Sequence, residues 1–335
     1  VSTLERLWYG EALPLERVVA TALLGPASLA WRGVTAARNL LFDVGVLRAQ
    51  RVDGLQIVSV GNLVAGGSGK TPLVIFLTQW AKAAGRRVAV LSRGYGRRGS
   101  APLRVDAAAL PAEPEAGDEP RLIARATGVP VFLDADRVRA ARRAKDEGHD
   151  VVILDDGFQH RRLARDVDVL VHVPEASTAV LPLGPYREGA RGRRRATVVW
   201  NGPAAADPRG GLVVSGLRGA ASLAGQPVVA LTGIARPARF VRSLEQLGAR
   251  VVFHARFADH HRFTPAELER VRSEAERHAA LVVTTEKDAE RLPEGFGAVV
   301  VEARLSVSAG LDALARALGW PAACAPAPAV KEGAP

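Results

Sequence analysis

One stretch constrains the fold more than any other: Ile57 to Leu77, IVSVGNLVAGGSGKTPLVIFL. Gln56 to Val60 is an apolar run ending at Gly61 and reads as a strand. A helical pattern covers Thr71 to Ala84, and a glycine-rich turn joins the two. Strand, glycine turn and helix, in that order, form the setting in which a GKT ending cradles phosphate. Gly66, Gly67, Ser68, Gly69, Lys70 and Thr71 are the expected phosphate-binding residues. Backbone N–H groups from Gly67 to Thr71 would converge on the anion at a helix N-terminus. Lys70 would reach the β- and γ-phosphates, and the Thr71 hydroxyl would bind Mg²⁺. The usual pattern has a glycine five residues before Gly69, where this chain has Val64. The spelling is closer to the K-G-G-x-G-K-T loop of switch and carrier ATPases. Ala65 replaces the first lysine of that variant, which argues against a dimerising switch.

Further strands are expected at Arg87–Leu91, Val129–Leu133 and Val151–Leu154. The last runs straight into Asp155-Asp156. An acid at the C-terminal end of a parallel strand, after a phosphate loop, is placed as a metal-binding carboxylate; an Asp-Gly turn is the simpler alternative. The EAGDEP segment puts Asp118 and Glu119 in a turn before a helix, where capping is an alternative role. The loop LPLGPYREGARGRRR, Leu181 to Arg195, is bounded by proline and glycine and carries five arginines. It is read either as a solvated loop or as one facing phosphate or a lipid headgroup.

The N-terminal region differs. Leu13 to Arg51 reads as helix with a break at Gly25-Pro26. Between Arg17 and Arg32 no residue is charged, but these 14 positions fall short of the roughly 18 residues that span a bilayer. The segment lacks the basic start and cleavage site of a signal peptide. Trp8, Tyr9 and Trp31 flank it and Arg32, Arg38 and Arg48 follow, a pattern suited to a helix lying in a membrane surface.

After a connector around NGPAAADPRGG, a second α/β pattern begins at Val228–Leu231. It continues with a helix at Arg239–Leu247, a strand at Arg250–His254, a helix at Pro265–His278, a strand at Leu281–Thr284 and a helix from about Ala309 to Leu318. The 335 residues suffice for two modest domains with their own cores. A single cysteine, Cys324, rules out an internal disulfide framework and fits a reducing compartment. The histidines show no zinc spacing. A formal charge of +10, nearly all of it from arginine, suits anionic partners. No recognition module or aromatic stripe accompanies it, so a nucleic-acid ATPase is disfavoured.

Taken in order, LERLWYG, VGNLVAGGSGKTP, LSRGYGR, GDEP, DDGFQHRRLARD, LPLGPYRE, TGIARPARF, ADHH and TTEKDA resemble the tetraacyldisaccharide 4'-kinase family almost end to end. The Val64 spelling of the loop is the family's own. The resemblance implies transfer of the γ-phosphoryl of ATP, with Mg²⁺, to the 4'-hydroxyl of a lipid A disaccharide 1-phosphate precursor. It implies work at the cytoplasmic face of the inner membrane as a peripheral protein, with neither nucleic acid nor an obligate protein partner. Asp118 is then the catalytic base, tuned by His260 from the second domain, with Lys70 on the transferred phosphoryl group. Thr71, Asp155, Asp156 and Glu188 are the Mg²⁺ candidates. Arg93, Tyr95, Gln159, His160 and Arg187 are the substrate candidates. TTEKDA is left between contact with the nucleotide base and a capping role for Thr285 with Asp288.

The expected architecture is α/β. It comprises a helical membrane-associated segment (1–53), a P-loop NTPase-like parallel-sheet domain (54–200), a connector (201–226), a smaller α/β domain (227–320) and a disordered tail (321–335).

Overall fold

The structure, a computed structural model, describes residues 7–8, 13–67, 69–172, 177–201, 213–218, 223–307 and 309–326. Tyr9, Ser68, most of the 201–226 connector and positions 327–335 of the proline-rich tail lie outside the described residues.

In chain order the elements are α1 (Pro14–Asp43), β1 (Gln56–Gly61), α2 (Lys70–Ala83), β2 (Val88–Ser92), β3 (Leu103–Val105), α3 (Glu113–Ala116), α4 (Asp118–Thr127) and β4 (Val131–Leu133). Then come α5 (Arg137–Asp146), β5 (Val151–Leu154), β6 (Val167–His172), β7 (Val198–Asn201), β8 (Val213–Arg218), β9 (Pro227–Thr232), α6 (Pro237–Gln246) and β10 (Arg250–Arg256). The last are α7 (Pro265–Arg277), β11 (Leu281–Thr285), α8 (Glu286–Ala289), β12 (Val299–Val307) and α9 (Leu311–Leu318). The described residues form two compact units, both discontinuous: one lies within 1–93, 134–214 and 307–326, the other within 94–133 and 215–306.

The first unit is built on parallel strands in the order β2-β5-β1-β6-β7. Val151–Leu154 is buried throughout, as are Val88–Ser92 and β1 after Gln56, the near-continuous apolar pattern of strands covered on both faces. The sequence pattern had suggested neither β6 nor β7. The chain leaves β1 toward β2 on one side, while β6 lies on the other. Such a reversal opens a crevice at the strands' C-terminal ends. The glycine loop and Asp155-Asp156 both lie there. Helix α2 buries Leu73, Val74, Leu77 and Trp80. The Trp80 indole N–H donates to Pro321 O at 2.9 Å, and its ring meets Trp320 edge-on at 5.8 Å. Gln56 then ties β1 to Leu318 O and Trp320 Nε1. The segment at 307–326 therefore completes the core of this unit. Losing the Trp80 side chain would cost about 3–5 kcal/mol.

Helix α1 also belongs to this unit and is apolar on the wrong side for an ordinary core helix. Ser28 and Thr35 are its buried residues. Ser28 Oγ donates to Val180 O at 2.6 Å, Trp31 Nε1 to Arg187 O at 2.9 Å, and Asn39 Nδ2 to Glu188 Oε2 at 2.6 Å. Leu15, Val18, Leu23, Leu29, Val34 and Leu40 are exposed. The expected break at Gly25-Pro26 does not occur, and 30 residues form one helix. Proline forfeits one i→i−4 bond, but its clash with the preceding residue is relieved because Gly25 has no Cβ. Among the described residues no helix is long and apolar enough to cross a membrane.

The second unit has a five-stranded sheet in the order β10-β9-β11-β12-β8, with β9 parallel to both β10 and β11 and β11 parallel to β12. Strand β9 alternates cleanly. Val228 and Ala230 face Phe240 and Leu244 of α6, whereas Val229 and Leu231 face Leu268 and Val271 of α7. Strands β8 and β12 had not been expected. The antiparallel pair β3 and β4 belongs to the same unit, as does α4. Arg121 and Arg125 of α4 reach Glu290 at 3.0 and 3.3 Å. Asp118 and Glu119, expected in a turn, are the first two residues of α4.

Candidate active site

Two clusters of functional side chains form, one in each unit. The first surrounds the glycine loop. Val64 is buried and bridges Tyr186, while Ala65 N donates to Pro185 O and Arg187 N to Leu63 O, both at 2.7 Å. The position where other phosphate loops carry glycine is therefore pinned by a single β-bridge to the Leu181–Arg187 loop. Gly69 precedes α2 with φ 80°, a left-handed conformation that glycine adopts without strain. Lys70 opens the helix, and its Nζ stands 3.4 Å from Asp156 Oδ1. Asp156 itself has φ 53°, a rare conformation for a residue other than glycine, of the kind that clusters at functional sites. Its other oxygen accepts from Arg187 Nη1 at 2.7 Å. Burial pushes the Asp156 carboxyl up, but Lys70 and Arg187 together hold it below its ordinary value. Asp155 is buried at the end of β5 and accepts from Ser92 Oγ at 3.2 Å.

Glu188 is also buried. Arg195 grips both its oxygens at 2.8 and 2.9 Å, and Asn39 and Gln159 add hydrogen bonds at 2.6 and 3.2 Å. Against the upward push of burial, Arg195 leads these donors in keeping it ionised. Its donor set competes with any cation. Gln159 also donates to Asn62 O at 2.8 Å. Arg187, expected to meet substrate, spends its guanidinium on Asp156. Burial, then Arg137 and Arg165, push His160 down to about 4, so it is neutral near pH 7. Arg93 is exposed at the end of β2.

Arg137 joins this cluster without a distinctive sequence signal. It is 4% exposed, and Asp136 caps the helix it opens by accepting from Val138 N and Arg139 N. Its guanidinium donates to Asp134 O. Burial lowers Arg137 to about 10 against the pull of Asp155 and Asp156, so it adds a third cation near those acids. The only signal is an Asp-Arg pair that begins three residues past a strand, which reads locally as a cap.

Mg²⁺ fits this cluster. Thr71, Asp155 and Asp156 offer only oxygen, the donor a hard cation takes. Asp156 Oδ1 is a buried oxygen whose ion-pair partner is the Lys70 ammonium, 3.4 Å away. Among the described residues no three His, Cys, Asp or Glu side chains form a ready metal cage. Mg²⁺ needs none, since one or two carboxylates with substrate phosphates and water suffice.

The second cluster centres on Asp118. This carboxylate is 2% exposed, and its Oδ1 accepts from Glu119 N at 2.8 Å. Oδ2 lies 3.1 Å from His260 Nδ1 and 3.5 Å from Arg291 Nε. Burial opposes ionisation of Asp118, but the His260 hydrogen bond and Lys287 outweigh it and lower its pKa. His260 sits at φ 59°, and its backbone N donates to Gly233 O at 3.0 Å. Gly233 sits at a crowded corner. A Cβ there would stand 3.2 Å from Asp288 Oδ1 and 3.3 Å from Ala258 O. The exposed Tyr95 ring lies 5.6 Å from the imidazole. Asp118 and His260 were expected from two different domains. They belong to one compact unit, because residues 94–133 cluster with 215–306. Thr285 caps α8 through Asp288 N, one of the two roles read for TTEKDA.

A family model described as tetraacyldisaccharide-1-P 4'-kinase matches residues 20–318. A tetraacyldisaccharide 4'-kinase of Anaeromyxobacter sp. (strain K) is 42% identical over an alignment covering 100% of both chains. One from Syntrophus aciditrophicus (strain SB) is 37% identical over 86% of this chain and 88% of its own. The crystal structure of LpxK from Aquifex aeolicus in complex with ATP superposes with a TM-score of 0.74 and 28% identity, covering 90% of this chain and 99% of that one.

Proposed function

Given that this chain belongs to the tetraacyldisaccharide 4'-kinase family, we propose that it transfers the γ-phosphoryl group of ATP to the 4'-hydroxyl of a tetraacyldisaccharide 1-phosphate in lipid A biosynthesis. The observation that carries the residue assignment is the buried Asp118 carboxylate held 3.1 Å from His260. A sugar hydroxyl is a weak nucleophile, and a positioned carboxylate can take its proton as the oxygen attacks. Asp118 gains that proton, the O–P bond forms at the γ-phosphorus, and ADP leaves with the bridging oxygen.

The rest of the chemistry is positioning and charge neutralisation. Amides of Gly66, Gly67, Ser68 and Gly69 cradle the ATP phosphates, with Lys70 neutralising the β–γ bridge. Mg²⁺, when bound, spreads the charge that builds on the transferred group; Thr71, Asp155 and Asp156 would hold it. Glu188 acts on that shell through Gln159 and Arg187. Arg93, Tyr95, Gln159 and His160 face the disaccharide. Helix α1 lies on the cytoplasmic face of the inner membrane, a reading supported by its exposed Leu15, Leu23, Leu29 and Leu40.

The test is incubation of the pure protein with Mg-ATP and a tetraacyldisaccharide 1-phosphate, followed by mass spectrometry. A product heavier by one phosphoryl group, placed on the 4' position by fragmentation, is expected. ADP release without lipid phosphorylation overturns the proposal.

A further inference from the structure

The TTEKDA motif, Thr284 to Ala289, has no part in the chemistry above, yet it is built with care. Thr285 Oγ1 accepts from Asp288 N at 3.1 Å and donates to Asp288 Oδ2 at 2.8 Å. Asp288 is fully buried, accepts from Gly233 N at 3.0 Å and pairs with Arg291. This rigid turn presents one side chain, Lys287, which is only 20% exposed. Its Nζ stands 3.2 Å from His260 Nε2, 3.1 Å from Glu119 Oε1 and 3.5 Å from Asp259 Oδ1.

An ammonium has donors and no lone pair. At hydrogen-bond distance from it, His260 Nε2 must accept, so that nitrogen carries no proton. The remaining ring proton is then on Nδ1, which faces Asp118 Oδ2 at 3.1 Å. We propose that Lys287 is a positioning residue that fixes His260 as the neutral Nδ1–H tautomer, leaving Asp118 as the unprotonated carboxylate that can take the substrate's proton. The inference rests on the reading of Asp118 as the base.

Asp259 Oδ2, 3.8 Å from His260 Nε2, favours a proton on that nitrogen, and the Lys287 ammonium opposes it. Glu119 comes from α4 beside Asp118, and Asp259 adjoins His260. Arg291 faces Asp118 from the turn after α8, where Asp288 already pairs with it. Tyr95 contributes a ring face. Burial pushes Lys287 down, but Glu119, Asp118 and Asp259 more than offset this, so it stays charged and remains a donor. The Asp118 hydrogen bond raises His260 above its ordinary value despite burial, while Lys287 opposes the rise. A protonated ring would turn an Nε2–H against the ammonium. Without Lys287 the imidazole gains a proton more readily, and so does Asp118. Both changes move the loss of activity on acidification to higher pH. A unit charge at this range shifts a neighbour by roughly 1–3 pH units, and the limb belongs to the coupled pair.

The experiment uses the full chain with imidazole ¹⁵N labelling, comparing wild type, Lys287→Met and Lys287→Arg, with His260→Gln identifying the signal. Wild type is expected to show neutral Nδ1–H at pH 8. Lys287→Met is expected to raise the midpoint of the acid limb of kcat by roughly 1–3 units with ATP affinity retained. Lys287→Arg keeps the cation and is expected to return the limb toward wild type. An Nε2–H tautomer in wild type overturns the inference, and so does an unshifted limb in Lys287→Met with lower kcat at every pH. The ¹⁵N readout does not depend on catalysis. If Asp118→Asn keeps full activity while the tautomer still follows Lys287, the reading of Asp118 as base is what fails.

Discussion

The Lys70 ammonium and the Asp156 carboxylate stand 3.4 Å apart, with Arg187 closing on the other Asp156 oxygen at 2.7 Å. In this arrangement the cation at the head of α2 rests on an acid. ATP phosphates arriving at the glycine loop would draw Lys70 toward themselves and free an Asp156 oxygen. The loop, the acid and the lysine therefore act as one exchangeable set of charges.

Lys70→Ala is expected to lower kcat by about 10²–10³ or more, the usual cost of removing a group aimed at transition-state charge. Single-turnover transfer from labelled ATP measures it. Turnover near wild type would remove Lys70 from the reaction.

Asp118 and His260 are expected to act as one unit. Asp118→Ala and His260→Ala should each lower kcat by on the order of 10²–10⁴. The double variant should lose little more than the worse single change, since groups acting together are not additive. ATP affinity, measured separately, should persist in all three. Multiplicative losses would show that the two residues work independently.

His160 gives a pH prediction for stability. Its folded pKa lies near 4, below the 6.5 of a free imidazole, because of burial and then Arg137 and Arg165. Between those values the unfolded chain binds a proton that the folded chain refuses. Stability is then expected to fall as pH drops from about 6.5 to about 4. His160→Gln should flatten that part of a plot of Tm against pH. An unchanged slope would assign the acid sensitivity to other groups.

The exposed face of α1 predicts vesicle binding. Replacing Leu15, Leu23 and Leu29 together with Gln should weaken flotation with anionic vesicles and slow turnover on long-chain lipid. Turnover of a short-chain, soluble disaccharide phosphate should be retained. Equal flotation of variant and wild type would move the contact to another surface, such as the arginines of the 187–195 loop.

How much of this could be read from the residues depends on the range of the interaction. The glycine loop and Asp155-Asp156 were legible, because strand, turn and helix are adjacent in sequence and the chemistry is local. The termini of α2, α7 and β5 followed from apolar periodicity within one or two residues. Strand β6 was hidden because Asp168 breaks its apolar run, and that acid is there to receive Arg165 at 2.9 Å. Arg137 was hidden because burial near Asp155 and Asp156 is a tertiary fact. The unbroken course of α1 through Pro26 depends on the glycine before it. The shared unit of Asp118 and His260 was also invisible. Nothing near Gly94 or Leu133 announces that the chain departs there for another core.

That departure has a consequence for how the protein is made. The chain changes unit at 93/94, at 133/134, again at 214/215, and finally at 306/307. The glycine-loop unit still lacks Leu318, Trp320 and Pro321, the partners of Gln56 and Trp80, when most of the polypeptide has been synthesised. The glycine-loop unit cannot finish folding on the ribosome before residues 307–326 emerge. A fragment cut at 200 would carry the whole glycine loop and yet expose the indole of Trp80, so proteolysis or truncation near the C-terminal end should unfold the nucleotide-binding half first.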